Sequence, residues 1–164
     1  MRTRKGPASE QGLARLARGD SGYPAALIRY LAQDAPAAVT ALGNLAILQR
    51  QKLALFCSVR CPGKLILETY HLTHSLRDAC ITVIGGFHSP MEQECLRVLL
   101  RGRQPIIICP ARGISNIRLP ADWKTGLAAS RLLLLSPFAG NLRRATALSL
   151  RSMWVAARKQ FPSH

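Results

Sequence analysis

Acidic residues are scarce in this sequence. Asp and Glu number 8 against 23 Lys and Arg, so the 164-residue chain carries a formal net charge of +15. From residue 97 onwards, twelve basic residues accompany a single acid, Asp122. Such a charge predicts an anionic partner, which is a nucleic acid, a phosphorylated ligand or an anionic membrane surface. A genome rich in G and C would explain the preference for Arg over Lys, but it would not explain the shortage of acids.

Long apolar runs are also missing, and none approaches the ~18 residues that a membrane-spanning helix requires. The basic segment 1–5 is followed by no apolar stretch of the kind found in a signal peptide. The cysteines number five, and three of them lie in or beside apolar segments, as expected of reduced thiols in a core. We therefore expect a cytoplasmic protein with no membrane partner.

Recognisable catalytic and metal-binding patterns are absent. Cys57 and Cys61 have C-x3-C spacing, without a second pair at zinc-site spacing. His71, His74 and Asp78 share one face of a predicted helix and could ligate a metal ion, but such trios are common on exposed helix faces. The sequence contains no G-x-S-x-G or H-E-x-x-H motif and no carboxylate pair suited to acid–base catalysis. These absences predict a protein that is not an enzyme and has no metal or other cofactor.

The apolar pattern predicts an α/β fold. Apolar residues make up 48% of the chain and aromatic residues 5%, so we expect a core of Leu, Ile, Val and Ala. From residue 51 onwards, short apolar runs alternate with amphipathic segments, which is typical of βαβ units. We predict a Rossmann-like, mainly parallel sheet with helices on both faces. The predicted strands are 53–58, 81–84, 105–109 and 131–135, and the predicted helices are 62–80, 90–101, 119–130 and 143–159.

Three parts of the chain are predicted from this pattern. They are a flexible basic leader (1–22), a short helical segment (23–50) and a Rossmann-like domain (51–164). In the second part, residues 25–31 and 37–42 are expected to be helical. In the predicted helix 62–80, the three- and four-residue spacing of apolar side chains indicates one buried stripe, formed by Leu65, Leu72, Leu76 and Ala79.

Ligands bind parallel sheets at the carboxyl ends of the strands, and three predicted loops follow such ends. Two glycines in the second loop would let the backbone approach a phosphate, and the next helix would offer free N–H groups. The same residues also fit a tight turn before a capped helix, because Ser89-Pro90-Met91-Glu92 forms a capping box that places a negative charge there. The candidate phosphate-binding residues are Ser58 and Arg60 in the first loop and Gly85, Gly86, His88 and Ser89 in the second, and the third loop is 136–138.

Basic residues also recur in the predicted helix 143–159. Arg144, Arg151 and Arg158 are seven residues apart and therefore share one stripe, with Trp154 beside it. Arginines next to an aromatic ring suit single-stranded nucleic acid. The spacing fits equally a solvated face with Trp154 in the core.

Six motifs occur in an order and spacing that point to a family. They are Tyr23-Pro24-x-x-Leu27, Asp34-x-Pro36, Gly43-Asn44, Cys57-Ser58-Val59-Arg60, Ile84-Gly85-Gly86-Phe87-His88-Ser89, and Leu135-Ser136-Pro137-Phe138 followed by Arg143, Arg144 and Arg151. Together they resemble the DNA-processing protein A (DprA/Smf) family over about residues 23–155. The sequence departs from the family pattern at 90–93 and at Ser152, where the family has Asn. The family chain continues with further strands, so we expect a short or truncated member.

The resemblance implies a Rossmann-like domain that binds single-stranded DNA and passes it to the RecA recombinase during natural transformation. It also implies homodimers formed through that domain. A basic phosphate pocket is implied as well, and by position it would use Ser58, Arg60, Gly85, Gly86 and Arg151. With their neighbours in sequence, the full set of expected binding residues adds His88, Ser89, Arg143 and Arg144.

A second hypothesis is a nucleotide-binding or phosphoribohydrolase-like Rossmann protein that acts on a nucleoside monophosphate. Such enzymes carry a Pro-Gly-Gly-x-Gly-Thr-x-x-Glu motif, and this sequence lacks it. The charge of +15 favours DNA, because one mononucleotide needs only a few cationic contacts.

Overall fold

The computed structural model describes residues 12–138, and these fold around one six-stranded sheet. The strands are β1 (Leu13–Ala17), β2 (Ala38–Gly43), β3 (Lys52–Ala54), β4 (Thr82–Gly85), β5 (Ile106–Ile108) and β6 (Leu132–Ser136). The helices are α1 (Ala25–Leu31), α2 (Gly63–Asp78), α3 (Pro90–Leu100) and α4 (Ala121–Ala128), with 3-10 turns at Ala32–Asp34 and Leu45–Gln49.

The sheet is mainly parallel, as the sequence predicts. Its strands lie in the order β1-β2-β6-β5-β4-β3. Strands β3, β4, β5 and β6 pair in parallel, whereas β2 is antiparallel to both β1 and β6. Because the four parallel strands are consecutive neighbours, right-handed crossovers place α2, α3 and α4 on one face. The predicted α/β, Rossmann-like class is confirmed.

The two faces of the sheet bury separate core clusters, because successive side chains of a strand point to opposite faces. In β6, Leu132 and Leu134 pack with α2, α3 and α4, whereas Leu133 and Leu135 pack on the other face. That second face is covered by α1 and by the 3-10 turn Leu45–Gln49. Burial on both faces explains why β6 is apolar along its whole length.

The N-terminal part differs from the sequence-based expectation. Residues 13–17, expected in a flexible leader, form β1, and residues 38–43 form β2 where a helical turn was expected. In β2, Val39 and Ala41 are buried and alternate with less buried neighbours. This period of two fits a half-buried strand. The helical prediction over 37–42 was wrong because small side chains allow either structure, and pairing with β6 selects the strand.

Helix α2 buries a different face from the predicted one. Leu65 and Leu72, expected in the buried stripe, are 48% and 50% exposed. Leu76 is buried as predicted, together with Thr73. The Oγ1 of Thr73 lies 3.2 Å from the Sγ of Cys95 in α3. Contact with α3 therefore determines which face of α2 turns inward.

Gly43 and Asn44 join the antiparallel part of the sheet to the parallel part. Gly43 has φ +114°, and a Cβ at this position would lie 2.3 Å from the carbonyl oxygen of Leu132 in β6. Asn44 Oδ1 accepts a hydrogen bond from Ala46 N at 3.0 Å, and its Nδ2 donates one to the Ser130 carbonyl oxygen at 2.9 Å. The two residues thus start the 3-10 turn and hold it against the beginning of β6.

We expect Gly43→Ala to lower the free energy of unfolding by about 2–4 kcal/mol, because both the left-handed φ and the backbone clash oppose a Cβ. Gly63→Ala is the matched control, since a Cβ built there meets no other described part of the chain within 4 Å. We expect the control to leave stability unchanged or slightly raised. Urea unfolding followed by circular dichroism measures both variants, and equal midpoints would contradict the expectation.

Candidate nucleic-acid interface

The loops that follow β3, β4 and β5 lie at one edge of the sheet, because these strands run parallel. Residues 55–62 connect β3 to α2, residues 86–89 connect β4 to α3, and residues 109–120 connect β5 to α4. The sequence predicts binding residues in the first two loops. The loop 109–120, after β5, was not among the loops predicted from the sequence, whose third member was 136–138, after β6.

The carboxylate of Glu92 ties the first two loops together. This side chain is buried, with 6% exposure, in the first turn of α3. Its Oε1 accepts a hydrogen bond from Cys57 N at 2.9 Å. Its Oε2 accepts one from His88 N at 2.7 Å and one from Ser89 N at 3.2 Å. The predicted capping box is complete, because Ser89 Oγ accepts from Glu92 N at 3.2 Å.

These bonds decide how the start of α3 interacts with an anion. The N–H groups of His88 and Ser89, which a phosphate would need, already bind a carboxylate of the chain itself. Of the two interpretations open from the sequence, the geometry at these groups is that of a tight turn before a capped helix. A bound phosphate at this edge would therefore rely on side chains more than on the helix N-terminus.

The glycine at position 85 is explained by the residue that follows the two glycines. Phe87 is 6% exposed and has φ +53°, in the left-handed region. A Cβ on Gly85 would lie 2.8 Å from the Phe87 ring. Gly85 thus makes room for an inward-packed aromatic side chain of its own loop.

A cleft of about 260 Å³ opens between the loops that follow β4 and β5. It combines an imidazole, a guanidinium and an indole with apolar and backbone surface. Arginine and aromatic side chains together suit a ligand that carries both phosphates and planar bases. The cleft is lined by Gly86, Phe87, His88, Ile108, Pro110, Ala111, Arg112 and Trp123.

Ser136, at the end of β6, anchors the loop that carries Arg112. Its side chain is fully buried, and its Oγ donates a hydrogen bond to the Arg112 carbonyl oxygen at 2.8 Å. Ser136 Oγ also accepts a hydrogen bond from Phe138 N at 3.1 Å. With its backbone held, Arg112 keeps an exposed side chain at the cleft. Trp123, in the first turn of α4, is half-buried and packs against the core below the cleft.

The predicted binding residues are distributed between the cleft and its surroundings. Gly86 and His88 line the cleft, and the His88 side chain is exposed. Ser58 and Arg60 are exposed in the first loop, where Ser58 Oγ accepts a hydrogen bond from Arg60 N at 3.3 Å. Gly85 and Ser89 are buried and serve the loop structure. The remaining three predicted residues lie outside the described part of the chain, and they are Arg143, Arg144 and Arg151.

Arg112 and Trp123 are cleft residues that the sequence reasoning missed. Applying the strand-end rule to β5 would have found Arg112, which lies four residues after Ile108. Trp123 carries no local signal of this kind. Only the path of residues 109–120 brings α4 beside the glycine loop, which is the loop 86–89 after β4.

Two cysteines near this edge are poor nucleophiles. Burial raises the pKa of the Cys109 thiol to about 12. Burial, with further contributions from the neighbouring Cys95 and Glu92, raises the pKa of Cys57 to about 11. Both thiols therefore stay protonated near neutral pH.

Within residues 12–138, no group of three or more His, Cys, Asp and Glu side chains is arranged to hold a metal ion. His71, His74 and Asp78 in α2 do not come together in such a group. None of the described helices is long and apolar enough to span a bilayer.

The fold is shared with solved structures of DNA-processing proteins, although no protein-family model and no curated protein matches the sequence. DNA processing protein A (DprA) from Streptococcus pneumoniae matches with a TM-score of 0.63 at 16% identity, over 90% of this chain and 51% of that chain. DNA processing protein A from Helicobacter pylori, studied for its single-stranded DNA binding mode, matches with a TM-score of 0.60 at 15% identity, over 85% of this chain and 62% of that chain. The protein therefore has a DprA-like fold, and it spans about half to three fifths of the length of these two chains.

We expect Glu92→Gln to lower the free energy of unfolding by about 2–3 kcal/mol, because an amide cannot accept all three backbone N–H bonds. Glu94→Gln is the control, since Glu94 is exposed on the same helix and pairs only with Arg97 among the described residues. Urea unfolding and amide hydrogen exchange at Cys57 and His88 measure the effect. Unchanged protection of both amides in Glu92→Gln would show that the carboxylate does not hold the loops.

Proposed function

We propose that the protein binds single-stranded DNA at the cleft between the loops that follow β4 and β5, and that it acts in DNA processing. The cleft carries the proposal, because it brings Arg112, Trp123 and His88 together at the carboxyl edge of a parallel sheet. The net charge of +15 supports a polyanionic ligand. The DprA-like fold supports the same function, since the H. pylori relative was studied for single-stranded DNA binding.

Each part of the cleft suits one part of a nucleotide. The guanidinium of Arg112 can make two parallel hydrogen bonds to a phosphate. The indole of Trp123 offers a surface on which a base can stack, and base–aromatic stacking tolerates any sequence. Arg60, exposed in the neighbouring loop, would meet a phosphate farther along the strand.

The size of the cleft favours a single strand over a duplex. A volume of about 260 Å³ suits one unpaired nucleotide, whose base can turn towards an aromatic side chain. In a duplex, paired and stacked bases do not present their faces to such a cleft, so binding would rest on phosphate contacts alone.

A wider role is proposed from the resemblance of the sequence to the DprA family. We extend the proposal to a non-enzymatic, cytoplasmic DNA-binding protein that forms a homodimer and passes single strands to a RecA-type recombinase in natural transformation. The sequence motifs shared with the DprA family support this role.

Fluorescence anisotropy with a labelled single strand of about 30 nucleotides, titrated at several salt concentrations, tests the binding function. Duplex DNA and AMP serve as competitors. Tight binding that falls steeply with salt and that duplex competes for poorly is the expected result. No salt-dependent binding of the strand, together with binding or hydrolysis of AMP, would overturn the proposal in favour of a nucleoside-monophosphate protein.

We expect Arg112→Gln to weaken single-strand binding and to reduce the slope of log K against log salt by about 0.7, as for one lost phosphate contact. Trp123→Leu should cost about 1–3 kcal/mol of binding free energy through lost stacking, and Trp123→Phe should restore part of it. Arg29→Gln is the control, because Arg29 is exposed on α1, which covers the face of the sheet opposite to α3 and α4. If Arg112→Gln and Arg29→Gln bind alike, the cleft is not the binding site.

A further inference from the structure

A second basic cleft lies between α3 and α4. Its volume is about 280 Å³, and three of its six lining residues are arginines against one aspartate. Neither the sequence motifs nor the likeness to solved structures points to this cleft. It is lined by Arg97, Leu100, Arg101, Asp122, Thr125 and Arg131.

Arg131 is held in the wall of this cleft with part of its hydrogen-bonding capacity unused. Its Nη2 donates to the carbonyl oxygen of Leu100, at the end of α3. Its Nη1 is buried and has no hydrogen-bond partner among the described residues. Burial lowers the pKa of this guanidinium from its ordinary value, yet an arginine side chain remains charged in a protein. A partly buried guanidinium with an unpartnered N–H group is stabilised by an incoming anion.

Arg101 supplies an accessible cation at the same place. It is exposed and forms no ion pair with any described residue. Arg97 is partly neutralised, because its Nη1 pairs with Glu94 Oε1. Asp122 opposes one of the three positive charges, so the lining keeps a positive excess.

Each cleft is lined in part by the first turn of α4. Trp123 lines the first cleft, and its chain neighbour Asp122 lines the second. Arg101 and Arg131 lie at the end of α3 and the start of β6, so a strand that stacks a base on Trp123 would have to run several nucleotides along α4 to meet them. Guanidinium groups suit phosphate better than a single carboxylate, because a phosphate offers several oxygens to more than one arginine.

We propose that the cleft formed by Arg97, Arg101 and Arg131 is a phosphate-binding site that holds the backbone of the same single strand. The inference rests on the proposed function, which it deepens by assigning a second contact along the strand. The shared ligand chemistry is phosphate, whether from a DNA backbone or from solution. The test therefore separates these two sources.

Binding of thymidine strands of about 20 and about 4 nucleotides by Arg101→Gln tests the backbone contact. We expect the long strand to bind about threefold to tenfold more weakly, with a salt slope reduced by about 0.7, because one phosphate contact is lost. The short strand, which fills only the first cleft, should bind as it does to the wild type. Arg29→Gln is again the control, and Arg131→Lys, which keeps the charge but not the fork of N–H groups, should also weaken the long strand.

A titration with inorganic phosphate, followed by NMR of the arginine Nε–Hε groups at constant ionic strength, tests the cleft independently of DNA. Shifts of the Arg101 and Arg131 signals, together with the loss in long-strand binding, support the proposal. If the signals shift but Arg101→Gln and Arg131→Lys bind the long strand normally, the site takes phosphate from solution and the proposal is overturned. The proposal is also overturned if the wild type binds the long strand, the arginine variants bind it equally well, and phosphate shifts neither arginine signal. If the wild type binds no strand, the proposed function and the backbone contact are both refuted. Shifts of the Arg101 and Arg131 signals with phosphate would then assign the cleft to free phosphate.

Discussion

The buried carboxylate of Glu92 is the interaction on which the carboxyl edge of the sheet depends. It accepts backbone hydrogen bonds from Cys57, His88 and Ser89, and so joins the loop after β3 to the loop after β4. A buried charge is tolerated only when such bonds compensate its lost hydration. This arrangement has a chemical consequence, because the chain's own carboxylate occupies the N–H groups that many Rossmann-like proteins offer to phosphate. Anion binding at this edge would therefore rely on side chains more than on the helix N-terminus.

The side-chain cations available for this purpose surround a rigid frame. The Ser136 hydroxyl fixes the backbone of Arg112 by donating a hydrogen bond to the Arg112 carbonyl oxygen. The Phe87 ring packs against Gly85 in the loop that follows β4. On the other side of α4, the start of β6 and the end of α3 are joined by Arg131 and the Leu100 carbonyl oxygen. Because the backbone is already ordered, binding an anion costs mainly the rotamer freedom of the arginine side chains. The proposed phosphate contacts and the stacking surface of Trp123 would then lie along one strand that follows α4.

The antiparallel part of the sheet has a structural role in the same frame. Strand β2 pairs with β6, and the Gly43–Asn44 corner holds the following 3-10 turn against the beginning of β6. This turn and α1 cover the face of the sheet opposite to α3 and α4. Without that cover, the apolar side chains of β5 and β6 on that face would be exposed to water, which is unfavourable.

Local signals in the sequence determined the parallel strands β4, β5 and β6 and the helix α3. Continuous apolar runs and a complete capping box depend on residues close together in the chain, so they can be recognised without a structure. Tertiary structure decided the rest. Residues 38–43 became a strand because β6 offered an edge, and α2 turned Thr73 inward because Cys95 lies opposite. Arg112 and Trp123 meet His88 only because β5 lies beside β4 and the loop 109–120 returns α4 to the glycine loop. The strand-end rule could have pointed to Arg112 alone, but its meeting with Trp123 and His88 depends on contacts between distant parts of the chain, which the local pattern does not specify.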